Sequence, residues 1–166
     1  MTSMLATGMN TARTTSAGRL FDAVSAISGI CRRSTFEGQA AMMLEHTAEG
    51  ELGKPYPFEL RNTGKVSVID WRPAIALIVQ EKDARSVARR FHATLVEMIR
   101  SVARAAGYKR VVLSGGVFQN SLLLSHTRKA LLNDGFEVYS HQLIPPNDGG
   151  IALGQILVAA HQEKRA

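Results

Sequence analysis

Cysteine, aromatic side chains and long apolar runs are all scarce in this chain of 166 residues. Cys31 is the only cysteine, so no disulfide can close within the chain and no zinc site can be built from cysteines. No apolar run reaches the ~20 residues that a membrane-spanning helix needs. Residues 1–10 lack the basic start and the apolar stretch of a signal peptide, so we expect a cytoplasmic location.

The composition is otherwise that of a globular domain. Hydrophobic residues make up 45% of the chain and charged residues 20%, which is not the balance of a disordered segment. A chain of this length can bury about two-thirds of its unfolded surface, which is enough for a core. No internal repeat, low-complexity segment or linker interrupts the sequence, and we therefore expect residues 1–166 to form a single domain.

The net charge of +6 is concentrated in one stretch of the chain. Residues 81–110 contain eight basic and three acidic side chains, and so carry +5 of that total. Only Phe91 and Tyr108 are aromatic there, and no nucleic-acid-binding motif accompanies them. The pattern therefore favours a solvated helix face, or a face that docks onto an acidic partner, over nucleic-acid binding.

Apolar periodicity and turn residues predict alternating elements. Helices are expected at 17–28, 37–49, 71–79 and 84–106, with a β-hairpin at 58–61 and 66–69. The last part alternates a buried strand at 110–113, a helix at 117–132, a strand at 136–139 and a helix at 151–160. Strands that alternate with helices indicate an α/β layered fold.

Residues 113–120 (LSGGVFQN) are the strongest candidate for a binding site. A strand ends, Ser114, Gly115 and Gly116 turn the chain, and a helix is expected to follow. Glycines let the backbone approach a ligand, and a helix start offers free N–H groups, so this turn can cradle a phosphate. Asn120, in the first turn of the predicted helix, can hydrogen-bond a nucleotide. A plain strand-to-helix turn explains the two glycines equally well.

Residues 145–150 (PPNDGG) are a second candidate. Two prolines stiffen the approach to Asp148, which stands at the entrance of the last predicted helix. A carboxylate held there can coordinate a metal ion that bridges phosphates. Taken alone, however, Asp148 is more simply explained as the N-cap of that helix.

Two further candidates lie near the start of the chain. Gly18 and Asp22 are four residues apart and share one face of the first predicted helix. Glycine inside a helix costs about 1 kcal/mol against alanine, which suggests close contact of Gly18 with a ligand or with another helix. Glu37 can take a ribose hydroxyl, or it can equally well cap the second helix.

The remaining reactive side chains give no separate site. No two histidines are spaced i,i+4 as a helical metal site requires, so each is expected to be a surface or hydrogen-bonding histidine. Cys31 precedes two arginines, but a small buried thiol is the simpler interpretation.

Four segments in their order along the chain resemble the hydrogenase-maturation carbamoyltransferase (HypF) family. They are residues 15–24 (TSAGRLFDAV), 35–41 (TFEGQAA), 113–120 (LSGGVFQN) and 145–154 (PPNDGGIALG). Each segment alone is a weak signal, but the combination is specific, and the resemblance covers the chain from about residue 5 onward. It implies one ribonuclease-H-like lobe of the ASKHA fold, an α/β lobe with a mixed sheet flanked by helices.

The resemblance also implies an activity and its site. In HypF-like enzymes, carbamoyl phosphate and ATP give a carbamoyl-adenylate, and the carbamoyl group passes to the C-terminal cysteine of a partner protein in [NiFe] hydrogenase maturation. Asp148 would be a divalent-metal ligand. The nucleotide would be held by Gly18, Asp22, Glu37, Ser114, Gly115, Gly116 and Asn120.

The family's other parts are not found in this sequence. The first lobe with its paired metal-binding histidines, the acylphosphatase module, the zinc fingers and the adenylate-forming module are expected to be absent from this chain, or supplied in trans. Asp148 alone would hold a metal weakly. The fragment is expected to expose the apolar face that the first lobe would cover. A catalytically incomplete nucleotide-binding or interaction module, and a lobe of an O-carbamoyltransferase, are the alternatives.

Overall fold

The computed structural model describes residues 6–9, 11, 14–64 and 66–163. Its helices are α1 (Ala17–Ile27), α2 (Gln39–Thr47), α3 (Arg72–Ile78), α4 (Ala84–Ala106), α5 (Ser121–Asn133) and α6 (Ile151–Glu163). Its strands are β1 (Glu59–Asn62), β2 (Ser67–Asp70), β3 (Arg110–Leu113) and β4 (Glu137–Ser140). Among the described helices, none combines the length and the apolar character needed to span a bilayer.

Helix α4 is the central element of the core. Asp83 caps its first turn by accepting hydrogen bonds from the backbone N–H of Arg85 and Ser86, each at 3.2 Å. Gly107, at φ 72°, ends it in the left-handed conformation. These local signals explain why the predicted span 84–106 is confirmed. The apolar stripe of α4 packs with α1, α2, α3 and the start of α5 around buried Phe21, Leu44, Ile78, Val87, Phe91 and Leu123.

The strands form two small sheets rather than one. Strands β1 and β2 pair antiparallel, as the predicted hairpin requires, and β3 pairs parallel with β4. The α/β class is therefore confirmed, with its strands divided between two pairs. The prediction that β3 is buried holds only for Leu113, because Val112 is 68% exposed. An unbroken apolar run is typical of a strand covered on both faces, and the described residues cover only one face of this pair.

Four arginines of α4, Arg89, Arg90, Arg100 and Arg104, bond acceptors within the chain. Arg100 and Arg104 both bond Asp134 of α5, at 2.7 and 2.9 Å, and their hydrogen bonds lower the pKa of that carboxyl to about 2. Arg89 donates to the Glu49 carbonyl at 2.6 Å. The half-exposed Arg104 fits the predicted solvated face, but its guanidinium, like those of Arg89 and Arg100, has a partner within the chain. Their acceptors lie 30 to 40 residues away in sequence, so the charge pattern of the helix alone could not reveal them.

A second polar cluster joins the start of α4 to the segment before β1. The Glu81 carboxylate accepts hydrogen bonds from the Tyr56 hydroxyl at 2.5 Å, from Arg90 at 2.7 Å, and from the Ser86 hydroxyl. The Arg90 guanidinium also lies 3.9 Å from the centre of the Tyr56 ring. Three donors, one of them the cationic guanidinium of Arg90, thus converge on a single carboxylate.

Helix α6 lies outside the core. It was predicted as an apolar helix at 151–160, and it extends to Glu163. Residues 151–162 are all exposed. The exposed apolar side chains are Ile151, Leu153, Ile156, Leu157 and Val158. A helix this apolar normally packs against another element, but no described residue covers these side chains.

Candidate nucleotide site

The candidate site lies at the carboxyl edge of the β3–β4 pair. The two strands are parallel, and Leu113 pairs with Ser140, so the segments that follow β3 and β4 leave the sheet at the same edge. In parallel α/β sheets, ligands bind at this edge. The turn at Gly116 there meets the loop after β4, since a Cβ placed on Gly116 would lie 4.0 Å from the Cβ of Asn147. The structure therefore brings the two strongest candidate segments together.

The turn after β3 depends on one glycine. Gly115 has φ 101° and ψ 155°, a region that is essentially restricted to glycine. Gly116 has ordinary backbone angles and opens a short 3-10 turn, Gly116–Gln119. The predicted turn is thus present, and Gly115 and Gly116 contribute to it in different ways. Gly115 permits the backbone angles, whereas Gly116 leaves space beside the backbone.

The helix after this turn begins later than predicted, and its start is already occupied. Asn120 is extended, at φ −68° and ψ 106°, so α5 begins at Ser121 rather than near residue 117. One Glu45 carboxylate oxygen accepts from the backbone N–H of Ser121 at 2.7 Å and of Leu122 at 3.1 Å. The expectation of free N–H groups at this helix start is therefore wrong. A phosphate would have to meet the backbone of the glycine turn itself.

Asn120 is buried and has partners on both sides of its amide. Its Oδ1 accepts from the Leu123 backbone N–H at 2.7 Å, and its Nδ2 lies 3.0 Å from Nε2 of His92. It precedes α5 as the N-cap and does not lie in its first turn, which corrects its predicted location. Its role as a nucleotide ligand stays a prediction. In the described structure, its amide bonds two groups of the same chain, the Leu123 N–H and the His92 ring.

Ser114 has a partner that the sequence did not suggest. Its hydroxyl lies 2.8 Å from Nε2 of His141, and both side chains are exposed at the edge of the sheet. Ser114 directly follows β3, and His141 directly follows β4. This equivalent position after two parallel strands was the signal that could have identified His141. A cavity of about 230 Å³ adjoins the pair, and its lining includes Leu113, Phe118, Ser140, His141, Pro145 and Pro146.

The loop after β4 presents the carboxylate of Asp148 without a partner. Asn147, not Asp148, caps the short 3-10 turn Asp148–Gly150, because its Oδ1 accepts from the Gly149 N–H at 3.0 Å. The N-cap explanation of Asp148 is therefore wrong. Its carboxylate is exposed and bonds no other described residue. Gly150 keeps the loop compact, since a Cβ there would lie 3.0 Å from the Pro145 carbonyl oxygen.

A metal ion does not fit the described residues of this site. A divalent ion needs several ligands, and residues 6–9, 11, 14–64 and 66–163 contain no group of three His, Cys, Asp or Glu side chains that could hold one. Asp148 can supply one ligand. The other ligands would have to come from outside these residues, so no chemical step at this site is assigned to a metal.

The candidates near the start of the chain keep their ligand-binding interpretation. Helix α1 packs against the 3-10 turn after Gly115, which brings it to the same part of the molecule. A Cβ on Gly18 would meet only the Ser16 hydroxyl, at 3.5 Å, so helix packing does not explain this glycine. Asp22 is half-exposed and lies 3.3 Å from Arg19. Glu37 is exposed and does not cap α2, whose N-cap is Gly38.

The sequence of this α/β lobe matches a known family of domains. Residues 1–155 match the family described as the carbamoyltransferase Kae1-like domain, second subdomain. The chain belongs to this family, which confirms the resemblance seen in the sequence.

Its relatives are carbamoyltransferases called HypF. The Rhodobacter capsulatus protein is 43% identical over 162 residues, which is 95% of this chain and 21% of that protein. The Synechocystis protein is 42% identical over 147 residues, which is 87% of this chain and 19% of that protein. The chain therefore spans about a fifth of the length of these relatives.

Two solved structures share the fold. The crystal structure of full-length HypF in a phosphate- and nucleotide-bound form matches with a TM-score of 0.85 and 38% identity, and covers 95% of this chain and 26% of that one. The structure of T. kodakarensis HypF matches with a TM-score of 0.76 and 27% identity, and covers 98% of this chain and 22% of that one.

Proposed function

We propose that this chain is the nucleotide-binding lobe of a HypF-type carbamoyltransferase. In this role it holds a carbamoyl-adenylate while the carbamoyl group passes to the C-terminal cysteine of a partner protein in [NiFe] hydrogenase maturation. The observation that carries the proposal is the meeting of the Gly115–Gly116 turn with the Asp148 loop at one sheet edge. The similarity to a HypF structure in a nucleotide-bound form supports it.

The proposed reaction is an acyl transfer from a mixed anhydride. The cysteine sulfur attacks the carbamoyl carbon, the bond from that carbon to the AMP phosphate oxygen breaks, and the thiol proton goes to solvent. The products are a thiocarbamate and AMP. No side chain of this chain acts as a nucleophile in the scheme. Its contribution is positioning and stabilisation of charge on the leaving phosphate, through backbone N–H groups of the glycine turn and the Ser114 hydroxyl.

The nucleoside part of the substrate would contact α1. Asp22 offers a half-exposed carboxylate that can accept hydrogen bonds from ribose hydroxyls, and Gly18 leaves open space beside it on the same helix face. Glu37 is free to join them, since it has no bond to another described residue. These contacts bind the substrate without taking part in bond breaking, so their loss should weaken affinity more than it slows the chemical step.

The active unit would contain a second lobe. The uncovered apolar side chains of α6 and the single carboxylate of Asp148 both need a complement, and the family is defined as a second subdomain. We propose that a first subdomain, in the same polypeptide or in trans, covers α6 and supplies the remaining metal ligands. If that lobe is never present, the alternative is a nucleotide-binding or interaction module without catalysis, which the incomplete metal ligand set favours.

The direct test is the melting temperature of this chain with and without millimolar ATP and Mg²⁺. A ligand that binds only the native state stabilises it by RT ln(1 + [L]/Kd), about 2.7 kcal/mol at a hundredfold excess over Kd. Gly116→Glu should abolish the shift, because its side chain enters the space between the turn and Asn147. Ala105→Glu adds the same charge at an exposed position of α4 and should keep the shift. No shift in the folded wild-type chain would refute binding by this lobe alone.

A further inference from the structure

A buried histidine lies directly behind the glycine turn. His92 of α4 is 0% exposed, and its ring packs edge-on against Phe21 of α1 with the ring centres 5.5 Å apart. Its Nδ1 lies 2.8 Å from the Ala88 carbonyl oxygen, and its Nε2 lies 3.0 Å from Nδ2 of Asn120. Asn120 follows the turn and is the N-cap of α5. His92 thus links the centre of the core to the candidate site.

The hydrogen positions in this chain of contacts follow from chemistry. The Leu123 N–H can only donate, so the atom of Asn120 that it meets is the carbonyl oxygen Oδ1, and the other atom is the donor Nδ2. The Ala88 carbonyl can only accept, so Nδ1 of His92 carries a proton. Because Asn120 donates to Nε2, that nitrogen must be unprotonated. Only the neutral imidazole with its proton on Nδ1 satisfies all three bonds.

We propose that His92, as this neutral tautomer, is a positioning residue that holds Asn120 and thereby fixes the glycine turn against α4. The claim that the held turn binds nucleotide rests on the proposed function, whereas the claim that His92 holds it does not. His92 touches no substrate and acts only through Asn120. Asn120 then has a second role besides capping α5, because its bond to His92 keeps the turn at a fixed distance from α4.

The surroundings of His92 favour the neutral state. Burial lowers the pKa of its imidazole, and the charge of His126 on α5 acts in the same direction. The Ala88 carbonyl and the charge of Glu45 on α2 oppose this, but the net direction is downward. On α1, the neighbour is the uncharged ring of Phe21. A proton added to Nε2 would face the Asn120 donor, and turning the amide over would place a donor against the Leu123 N–H instead.

The tautomer can be measured on the wild-type chain. Long-range ¹H–¹⁵N correlation spectra distinguish the protonated from the unprotonated ring nitrogen of each histidine. At neutral pH we expect His92 to show a protonated Nδ1 and an unprotonated Nε2. A proton on Nε2 at that pH, in either the neutral or the cationic ring, would overturn the proposal. This measurement needs no nucleotide and no variant.

Hydrogen exchange tests whether His92 holds the turn. His92→Leu leaves the buried Nδ2 of Asn120 without an acceptor, which should speed exchange of the Leu123 and Leu124 amides about tenfold. His92→Gln offers both an acceptor and a donor and should restore most of the protection. Phe91→Leu is the matched control, since it disturbs the same core but leaves these bonds intact. Equal acceleration in Phe91→Leu and His92→Leu, or no rescue by glutamine, would overturn the proposal.

Nucleotide affinity separates this inference from the proposed function. With ATP and Mg²⁺ as the probe, His92→Leu should weaken binding about tenfold and His92→Gln should recover it. If the wild-type chain binds no nucleotide, nucleotide binding by this lobe alone is refuted, while the tautomer and the exchange rates still decide whether His92 holds the turn. If it binds nucleotide and His92→Leu binds equally well, His92 has no positioning role in binding.

Discussion

Two carboxylates, Glu81 beside the core and Asp148 at the sheet edge, have opposite surroundings. Glu81 accepts hydrogen bonds from Tyr56, Ser86 and Arg90. Asp148 is exposed and bonds no other described residue. The first carboxylate has as many donors as it can readily use, whereas the second has its full bonding capacity available.

The same contrast extends to the regions around them. Near α4, arginines meet carboxylates and a buried histidine meets an asparagine, so these charged and polar groups have partners inside the chain. At the edge of the β3–β4 pair lie the glycine turn, the Asp148 loop and the uncovered α6. Groups without internal partners are available to ligands and partner proteins, so the second region is where function is expected.

The largest expected effect is on stability, in the region around Glu81. Glu81→Ala leaves three donors without their acceptor, and one of them is a charged guanidinium, so we expect a loss of about 2–3 kcal/mol. Glu51→Ala removes an exposed carboxylate and should change stability by less than about 0.5 kcal/mol. Urea unfolding of both variants measures this. Equal losses would show that the cluster around Glu81 contributes no special stability.

The next effect tests the two glycines of the turn against each other. Gly115→Ala forces a side chain into φ 101° and ψ 155°, which should cost about 1–3 kcal/mol. Gly116→Ala adds a methyl group at ordinary angles, 4.0 Å from Asn147, and should be nearly neutral. Urea unfolding gives the stability and ATP binding gives the function. A neutral Gly115→Ala would mean that the turn relaxes easily and does not present a fixed cradle.

The sequence predicted these two regions to different extents, because one depends on local signals and the other on contacts between distant residues. The span of α4 follows from a local cap at Asp83 and a local stop at Gly107, so it was predictable to the residue. The start of α5 was not, because the Glu45 carboxylate that receives its N–H groups comes from 76 residues earlier. The pairs His92–Asn120 and Ser114–His141 also join residues 28 and 27 apart.

Adjacent residues of similar chemistry raised a different difficulty. Asn147 and Asp148 are both good capping residues, and no local pattern distinguishes them. The structure gives the cap to Asn147 and so leaves Asp148 free. Asp148 therefore stays a candidate ligand, although the sequence alone favoured a capping role for it. Fold class and candidate segments could be predicted from local pattern, but which polar groups remain free depends on tertiary contacts.

A smaller effect concerns pH and the buried histidine. Burial lowers the pKa of His92 in the native chain below its ordinary value of 6.5, so the unfolded chain binds that proton more readily. The stabilising contribution is complete above about pH 6.5 and is lost as the pH falls toward the lowered native value, by at most about 1.4 kcal/mol per pH unit. His92→Gln should show a flatter profile between pH 6.5 and 5. Parallel profiles for both chains would contradict this linkage.

The carboxyl groups affect a separate pH range. Hydrogen bonds from Arg72 hold the pKa of Asp70 far below its usual range, and Arg100 and Arg104 do the same for Asp134. Their stabilising contributions are present above the ordinary carboxyl pKa, about 4, and are lost only as the pH falls below it. Loss of stability between pH 6.5 and 5 therefore reports on histidines, and the His92→Gln comparison assigns the part due to His92.

The smallest effect on stability, and the largest contrast with Glu81, is expected at Asp148. Asp148→Asn removes a charge that no described residue uses, so the stability of this chain should change by less than about 0.5 kcal/mol. In the enzyme completed by its first lobe, the same substitution should reduce carbamoyl transfer on the order of a hundredfold, because the proposed metal site would lose the one ligand that this chain supplies. Unfolding of the isolated chain measures the effect on stability, and turnover by the completed enzyme measures the effect on activity. Substantial destabilisation would mean that Asp148 has a structural partner, and unchanged turnover would mean that its free carboxylate is not part of the site. Only a variant that is stable and inactive fits a group held open for a ligand.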